Sequence, residues 1–275
     1  MSETADWSPK SAVITGGASG IGLAIARELS SLGCRIMVAD FGSERLDTAI
    51  AELSRQGAEC VGHACDVSDL KQVDALADAA FAQFAQVDLL INNAGVSGPH
   101  GKLAEIDIEE ARRHFDVNFW GVWHGCRSFA PRMSEQGDRC AIYNTASENA
   151  LFCAMPKSAA YIAAKHAVLG LTENFREEMP AHVHVGTIIP GWVHTAIGAE
   201  QFMKWGMDGS EYAKIVVPQI LARERFVVSH SYNAVRKAER DNALSDSFAR
   251  NAPRKDGDEQ FDVRLVIEKL APPNG

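Results

Sequence analysis

No stretch of this 275-residue sequence approaches the ~20 consecutive apolar residues that a membrane-spanning helix needs. Lysine and arginine form no run or stripe, and the formal net charge of −9 argues against a nucleic-acid surface. The opening residues, Met1 to Pro9, are polar and contain neither a signal-peptide apolar run nor a basic leader. The six cysteines (Cys34, Cys60, Cys65, Cys126, Cys140 and Cys153) include no CxxC pair and lie mostly in apolar segments. Reduced buried thiols behave this way, so neither disulfides nor structural zinc are expected, and a cytoplasmic location is the simplest. No Gly-, Ser- or Pro-rich linker divides the chain and no segment repeats, so one domain over 1–275 is expected.

What is present is an ordinary globular composition, 46% hydrophobic and 23% charged. Short apolar runs at 11–15, 35–40, 59–65, 87–91, 139–144, 183–189 and 225–229 read as strands. Helical spacing marks 21–32, 44–55, 71–84, 108–133, 158–178 and 233–248. Gly33 and Gly57 close the first two helices, and Ser68 is placed to cap the third. The stretch from about 192 to 223 is less regular. Strands alternating with helices predict an α/β fold: a Rossmann-type doubly wound parallel sheet of about seven strands with helices on both faces.

A glycine-rich turn, Thr15-Gly16-Gly17-Ala18-Ser19-Gly20-Ile21-Gly22, joins the first strand to the first helix. Glycines at 16, 20 and 22 permit a tight turn and close backbone approach, and the helix start offers free N–H groups to a pyrophosphate. Alone, such a turn equally just starts a helix. Asp40 ends the second strand, twenty residues after Gly20, where a carboxylate meets ribose hydroxyls and repels a 2′-phosphate. No Arg or Lys follows at Phe41 or Gly42, and Arg45 is expected to face water; NAD is therefore expected over NADP. Asp66-Val67 and Asn93-Ala94-Gly95 follow the third and fourth strands and are further cofactor-binding candidates, though each reads equally as a turn.

Tyr161 and Lys165 lie four apart, one turn of helix. A nearby ammonium stabilises a phenolate and lowers its pKa, so the pair can move a proton at a substrate oxygen. The same spacing alone also describes a half-buried aromatic beside a solvated charge.

The turn at 15–22, Asn92-Asn93-Ala94-Gly95, Asn118, Ser147, Tyr161, Lys165 and Pro190-Gly191 occur in the order and spacing of one family. Over roughly residues 11–195 the sequence resembles the standard NAD-type branch of the short-chain dehydrogenases/reductases. The resemblance implies hydride transfer between NAD and a secondary alcohol or ketone, without metal. It assigns Tyr161 as general acid/base and Ser147 as hydrogen-bond partner of the substrate oxygen. Lys165 lowers the Tyr161 pKa and holds the nicotinamide ribose, and Asn118 holds a relay water. Gly16, Ser19, Gly20, Ile21, Gly22, Asp40, Phe41, Asp66, Val67, Asn93, Ala94, Gly95, Pro190, Val193 and Thr195 join Tyr161 and Lys165 as cofactor-binding residues. Ser147 and Tyr161 are fourteen apart, one more than the family's commonest spacing. His194 is not expected to be a base, and His182 with His184 lacks a third ligand for a metal.

A substrate lid is expected over about 192–222 and a C-terminal extension over about 230–275. Phe152, Met155, Trp192, Phe202, Met203, Trp205 and Met207 suggest a bulky apolar or aromatic substrate, with Phe152, Trp192 and Met203 beside Ser147 and Tyr161 as substrate-contact candidates. Glu148 stands out as acidic in this setting. The family's Asp-Gly-Gly after the last strand is missing, which puts its C-terminal tetramer contact in question. A homodimer or homotetramer is expected, with Phe119, Trp123, Ala164, Leu169 and Leu171 as an apolar interface. The alternatives are a non-catalytic dinucleotide-binding sensor or scaffold, or an epimerase or dehydratase on the same fold.

Overall fold

The computed structural model describes residues 7–195, 197 and 200–270, without the side chains of residues 200 and 202. Lid residues 196, 198 and 199 and the Phe202 side chain therefore lie outside what is described.

Seven strands form one parallel sheet: β1 (Ser11–Thr15), β2 (Arg35–Asp40), β3 (Cys60–Ala64), β4 (Leu89–Asn92), β5 (Cys140–Thr145), β6 (Val183–Ile189) and β7 (Phe226–Val228). Their spatial order is β3-β2-β1-β4-β5-β6-β7, with every neighbouring pair parallel. The chain builds outward from β1 to β3, then returns to place β4 on the other side of β1. That reversal opens a crevice between the C-terminal ends of β1 and β4, where open α/β sheets bind ligands.

The helices are α1 (Gly20–Ser31), α2 (Ser43–Arg55), α3 (Leu70–Phe84), α4 (Ile108–Phe115), α5 (Gly121–Glu135), α6 (Ala159–Glu178), α7 (Glu200–Met203), α8 (Gly209–Leu221), α9 (Asn233–Asn251) and α10 (Val263–Leu270). Strand alternation divides the interior in two. Ala12, Ile14, Ile36, Val38, Leu89 and Ile91 face one layer with apolar residues of α1, α2 and α8. Val13, Met37, Ala39, Leu90 and Ile142 face the other, with residues of α3, α5 and α6.

Three details depart from the sequence expectations. The capping residue of α3 is Asp69, whose Oδ1 accepts from Lys71 N–H at 2.9 Å. Ser68 instead turns back, donating from Oγ to Asp66 at 2.7 Å. The irregular stretch contains a full helix, α8, capped by Asp208 and burying Tyr212, Ala213, Val216, Val217 and Ile220. Its spacing is plainly helical, and Pro218 inside it hides the pattern. The helix expected over 108–133 is two helices separated by one π-helical turn, Asp116–Trp120. Asn118 supplies the cause. Its side-chain Nδ2 donates to the His114 carbonyl at 3.0 Å, taking an acceptor that an uninterrupted helix would use in its own ladder.

The chain divides into two compact units, Met1–Ser231 and Tyr232–Gly275. The sheet lies entirely in the first. The second comprises α9, a short 3-10 turn and α10, tied locally by pairs such as Arg236–Glu239 at 3.0 Å. Of the expected interface residues, Ala164 is fully buried and belongs to the core, whereas Trp123 and its neighbour Trp120 are exposed. No helix among the described residues is long and apolar enough to cross a membrane. The described residues contain no cluster of His, Cys, Asp or Glu fit to hold a metal ion. His182 and His184 each bond a backbone carbonyl, those of Ser134 and Glu224.

Candidate active site

The crevice is knitted together by its own polar groups. Thr15 Oγ1, at the end of β1, accepts from the N–H groups of Asn93 (3.0 Å) and Ala94 (3.1 Å) just beyond β4. Asn93 Nδ2 donates back to the carbonyls of Thr15 (3.1 Å) and Gly16 (3.3 Å). Gly22, in the first turn of α1, lies so close that a Cβ there would stand 2.4 Å from the Gly16 carbonyl oxygen and 2.6 Å from Asn93 Nδ2. Gly22→Ala is expected to push these apart, costing about 1–3 kcal/mol of stability and weakening dinucleotide binding. A thermal melt and a binding titration check this; an unchanged midpoint would count against the tightness of the turn.

The first turn of α1 carries no acidic side chain, so its N–H groups and the positive end of its dipole face the crevice uncompensated. Asp40 is buried, and its Oδ2 accepts from Ala18 N–H at 3.2 Å. Arg45 does not face water alone, as the sequence suggested. Its Nη2 pairs with Asp40 Oδ1 at 3.1 Å while half of the side chain stays exposed. The arginine lies in the first turn of α2, with Gly42 leaving the path to Asp40 open. Phe41 is exposed. Asp66 caps its own turn through the N–H and hydroxyl of Ser68, and Val67 is buried beneath Gly121.

Ser147 follows β5, and its Oγ accepts from Asn149 N–H at 3.2 Å. Asn149 in turn holds the following loop, accepting at Oδ1 from the N–H groups of Ala154 and Met155, both at 3.1 Å. α6 brings Tyr161 to Ser147 and Lys165 to the end of β5. Burial pushes the Tyr161 phenol above its ordinary pKa; a hydrogen bond from Ser147 opposes this, and the Glu148 carboxylate adds to the rise. Lys165 is itself buried, and its pKa is pushed down to about 8 by that burial. Its Nζ donates to the Thr145 carbonyl at 2.8 Å and lies 5.8 Å from the Tyr161 ring centroid. Burial is the largest influence on the phenol in this structure.

Gly95 lets these groups meet: a Cβ there would stand 2.9 Å from Asn118 Oδ1 and 3.7 Å from Lys165 Nζ. Asn118 is fully buried, with Oδ1 accepting from Val96 N–H (3.2 Å) and Nδ2 donating to Val96 O (3.1 Å). Beyond Pro190, the chain crosses over the crevice. His194 N–H donates to Met207 O and Met207 N–H to Trp192 O, both at 2.8 Å, which closes a loop. Val193 is buried, and Thr195 packs on Gly20. His230, after β7, covers Gly191, and its Nε2 lies 3.1 Å from the Trp192 carbonyl. Of the expected substrate residues, Phe152 is partly buried and Trp192 exposed, while Met203 is buried.

Sequence reading passed over Asn149, Arg45 as a partner of Asp40, and the buried set Asn92, Asn144 and Thr172. In that set Asn92 Nδ2 donates to Asn144 Oδ1 (2.8 Å), and Asn144 Nδ2 to Thr172 Oγ1 (3.0 Å). Only the polar residues at consecutive strand ends, Asn92 and Asn144, hinted at it.

A family model described as short chain dehydrogenase matches residues 10–204. The chain is 37% identical over 189 residues to a 1-deoxy-11-beta-hydroxypentalenate dehydrogenase of Streptomyces avermitilis, covering 68% of this chain and 70% of that one. It is 36% identical over 213 residues to a D-threitol dehydrogenase of Mycolicibacterium smegmatis, covering 76% and 78% respectively. A short chain dehydrogenase/reductase from Burkholderia phymatum, solved in complex with NAD, superposes with a TM-score of 0.83 at 31% identity, over 91% of this chain and 98% of that one.

Proposed function

Because this chain belongs to the short-chain dehydrogenases, oxidoreductases that act on hydroxyl or carbonyl carbons with a nicotinamide cofactor, we propose a specific member activity. It is an NAD-dependent dehydrogenase of secondary alcohols, with a bulky apolar or aromatic substrate and with residues 1–275 acting as one catalytic domain. The observation that carries the reading is the meeting of Ser147, Tyr161, Lys165 and Asn118 at one end of the sheet, beside a dinucleotide-type turn.

The residues present fit a dinucleotide. The uncompensated start of α1 suits a pyrophosphate, and the Asp40 carboxylate suits ribose hydroxyls. When bound, the nicotinamide supplies the hydride acceptor or donor. The protein does the rest. Ser147 and Tyr161 hold the substrate oxygen between two hydroxyls, which fixes the carbinol carbon and polarises its bond. Tyr161 takes the hydroxyl proton during oxidation and returns it during reduction. Lys165, anchored on the Thr145 carbonyl, would hold a ribose hydroxyl of the cofactor and support the phenol. The apolar side chains Phe152, Met155 and Trp192 and the relative that handles hydroxypentalenate support a bulky substrate. The threitol-oxidising relative points the other way, toward a small polyol, and Glu148 suits such hydroxyls.

The exposed Trp120 and Trp123, their rings 5.6 Å apart, support a homodimer or homotetramer through α5. The predominance of buried thiols supports a cytoplasmic setting. The test is NADH production on a panel of secondary alcohols, aryl carbinols, steroids and polyols, with NADP in parallel. Tight NAD binding without turnover on any of them would favour a sensor.

Cofactor choice yields a separate prediction. Asp40 opposes a 2′-phosphate, and Arg45 is neutralised by Asp40. Asp40→Ala frees Arg45 to meet that phosphate, so the NAD:NADP ratio of kcat/KM is expected to fall by about tenfold or more. A wild-type preference for NADP would overturn the role given to Asp40.

A further inference from the structure

His114 is the one buried residue of α4, 3% exposed on an otherwise solvated helix. It stands one turn before Asn118, on the same face. The Asn118 Nδ2 lies 3.2 Å from His114 Nε2 and 3.4 Å from Nδ1, so the amide points at the imidazole itself. The imidazole also meets the Tyr161 ring in an edge-type contact, with centroids 5.9 Å apart and planes at 62°. One ring thus touches two of the four residues read above as the reaction machinery.

We infer that His114 is a positioning residue: its neutral imidazole contacts both the Asn118 carboxamide and the Tyr161 ring and sets the angle at which the phenol meets the substrate oxygen. The inference rests on the reading of Tyr161 as the acid/base. The two N–H groups of that amide also serve the His114 and Val96 carbonyls, so the ring shares them, and the neutral form suits this shared contact, since a protonated imidazole carries N–H groups on both nitrogens. The surroundings enforce that form. Burial, then the Lys165 ammonium from α6, then His100 from the loop after β4, hold the His114 pKa down at about 4. The other groups facing it are the Tyr161 phenol, which titrates with the reaction, and the uncharged Asn118 amide. His100 is tied down in its turn, Nδ1 lying 2.8 Å from the Ser158 hydroxyl at the start of α6.

A phenol that rotates or shifts by a fraction of an ångström loses its alignment, and displacements of this kind cost up to about 10²-fold in rate. His114→Leu removes the polar contact and the ring contact. It is expected to lower kcat about tenfold with KM for NAD within twofold, because His114 touches neither the glycine turn nor Asp40. The apolar replacement also takes a polar group from beside the phenol, so the acid limb of the kcat profile for alcohol oxidation moves upward. His114→Gln, which keeps an acceptor for Asn118 Nδ2, is expected to restore kcat to within threefold and the limb to its original position.

Steady-state kinetics across pH on the three proteins reads all of this, with thermal midpoint and NAD affinity reporting the fold. A folded His114→Leu protein with kcat within twofold of wild type and an unmoved limb would overturn the inference. So would a loss that His114→Gln does not reverse. Should His114→Leu fail to fold, His114→Asn takes its place: too short to reach, it is expected to fall below His114→Gln, and equal rates would overturn the proposal. Tyr161→Phe, run alongside, separates the two readings. Full turnover there refutes the acid/base role and His114 with it, whereas its loss beside a normal His114→Leu refutes His114 alone.

Discussion

Tyr161→Phe is expected to lower kcat for alcohol oxidation about 10²–10⁴-fold, the usual contribution of a positioned acid/base, while leaving the fold intact. Phenylalanine keeps the ring, so the edge contact with His114 at 5.9 Å and the packing of α6 survive. What is lost is one hydroxyl, the group that Ser147 bonds. The pH profile sharpens the test. Burial raises the phenol pKa, so in the native enzyme the phenolate fraction, and with it the oxidation rate, climbs with pH through the neutral and alkaline range. In Tyr161→Phe that climb is expected to flatten. Stopped-flow or steady-state NADH formation between pH 6 and 10 measures both effects. A variant with wild-type turnover, or with the climb intact, would remove Tyr161 from the mechanism.

The second large effect has two opposite signs. Lys165→Met is expected to abolish most turnover and yet to make the protein more stable at pH 7. Lys165 is 3% exposed, and burial lowers its pKa from 10.5 to about 8. Below pH 8 the lysine is charged in both folded and unfolded chains, and the folded chain bears the full cost of enclosing the ammonium. Between pH 8 and 10.5 the unfolded chain binds more protons than the folded one, so stability rises with pH across that window. At ~1.4 kcal/mol per pH unit the displacement corresponds to about 3 kcal/mol. Methionine fills the same volume without charge but gives up the hydrogen bond to Thr145 O, worth about 1 kcal/mol. The net gain at pH 7 is then ~2 kcal/mol, a rise of several degrees in Tm. It should shrink as the pH of the melt approaches 10. A Lys165→Met protein less stable than wild type at pH 7 would show that the ammonium is better compensated than its surroundings indicate. Such a trade of stability for activity is what an active-site charge placed under apolar cover produces.

Much of this architecture was legible in the residues. Alternation such as Ala12 and Ile14 against Val13 fixes a strand buried on both faces, and Gly20 and Gly22 mark a helix start pressed against another loop. The regular alternation of elements gave seven parallel strands, as found. The failures are local and each has a cause. Pro218 masked α8, although Tyr212, Ala213, Val216, Val217 and Ile220 repeat at helical spacing. Ser68 and Asp69 are both good caps, and the choice fell to Asp69 because Asp66 engages Ser68 first. The π turn at Asp116–Trp120 depends on a side chain displacing a backbone donor, which periodicity does not register.

The sequence by itself determined the parts: a glycine turn opening a helix, an acid twenty residues later, and a serine, tyrosine and lysine in the family's order. These are short-range features, set by backbone sterics, helical periodicity and side-chain chemistry. Only the tertiary structure decided the electrostatics, because these depend on what surrounds each group rather than on its neighbours in sequence. It paired Arg45 with Asp40 across a turn of α2. It buried the Tyr161 phenol, which raises its pKa, and it pressed a buried, neutral His114 against both Asn118 and Tyr161. Burial is a property of the assembled fold, and it is burial that sets the working state of this site.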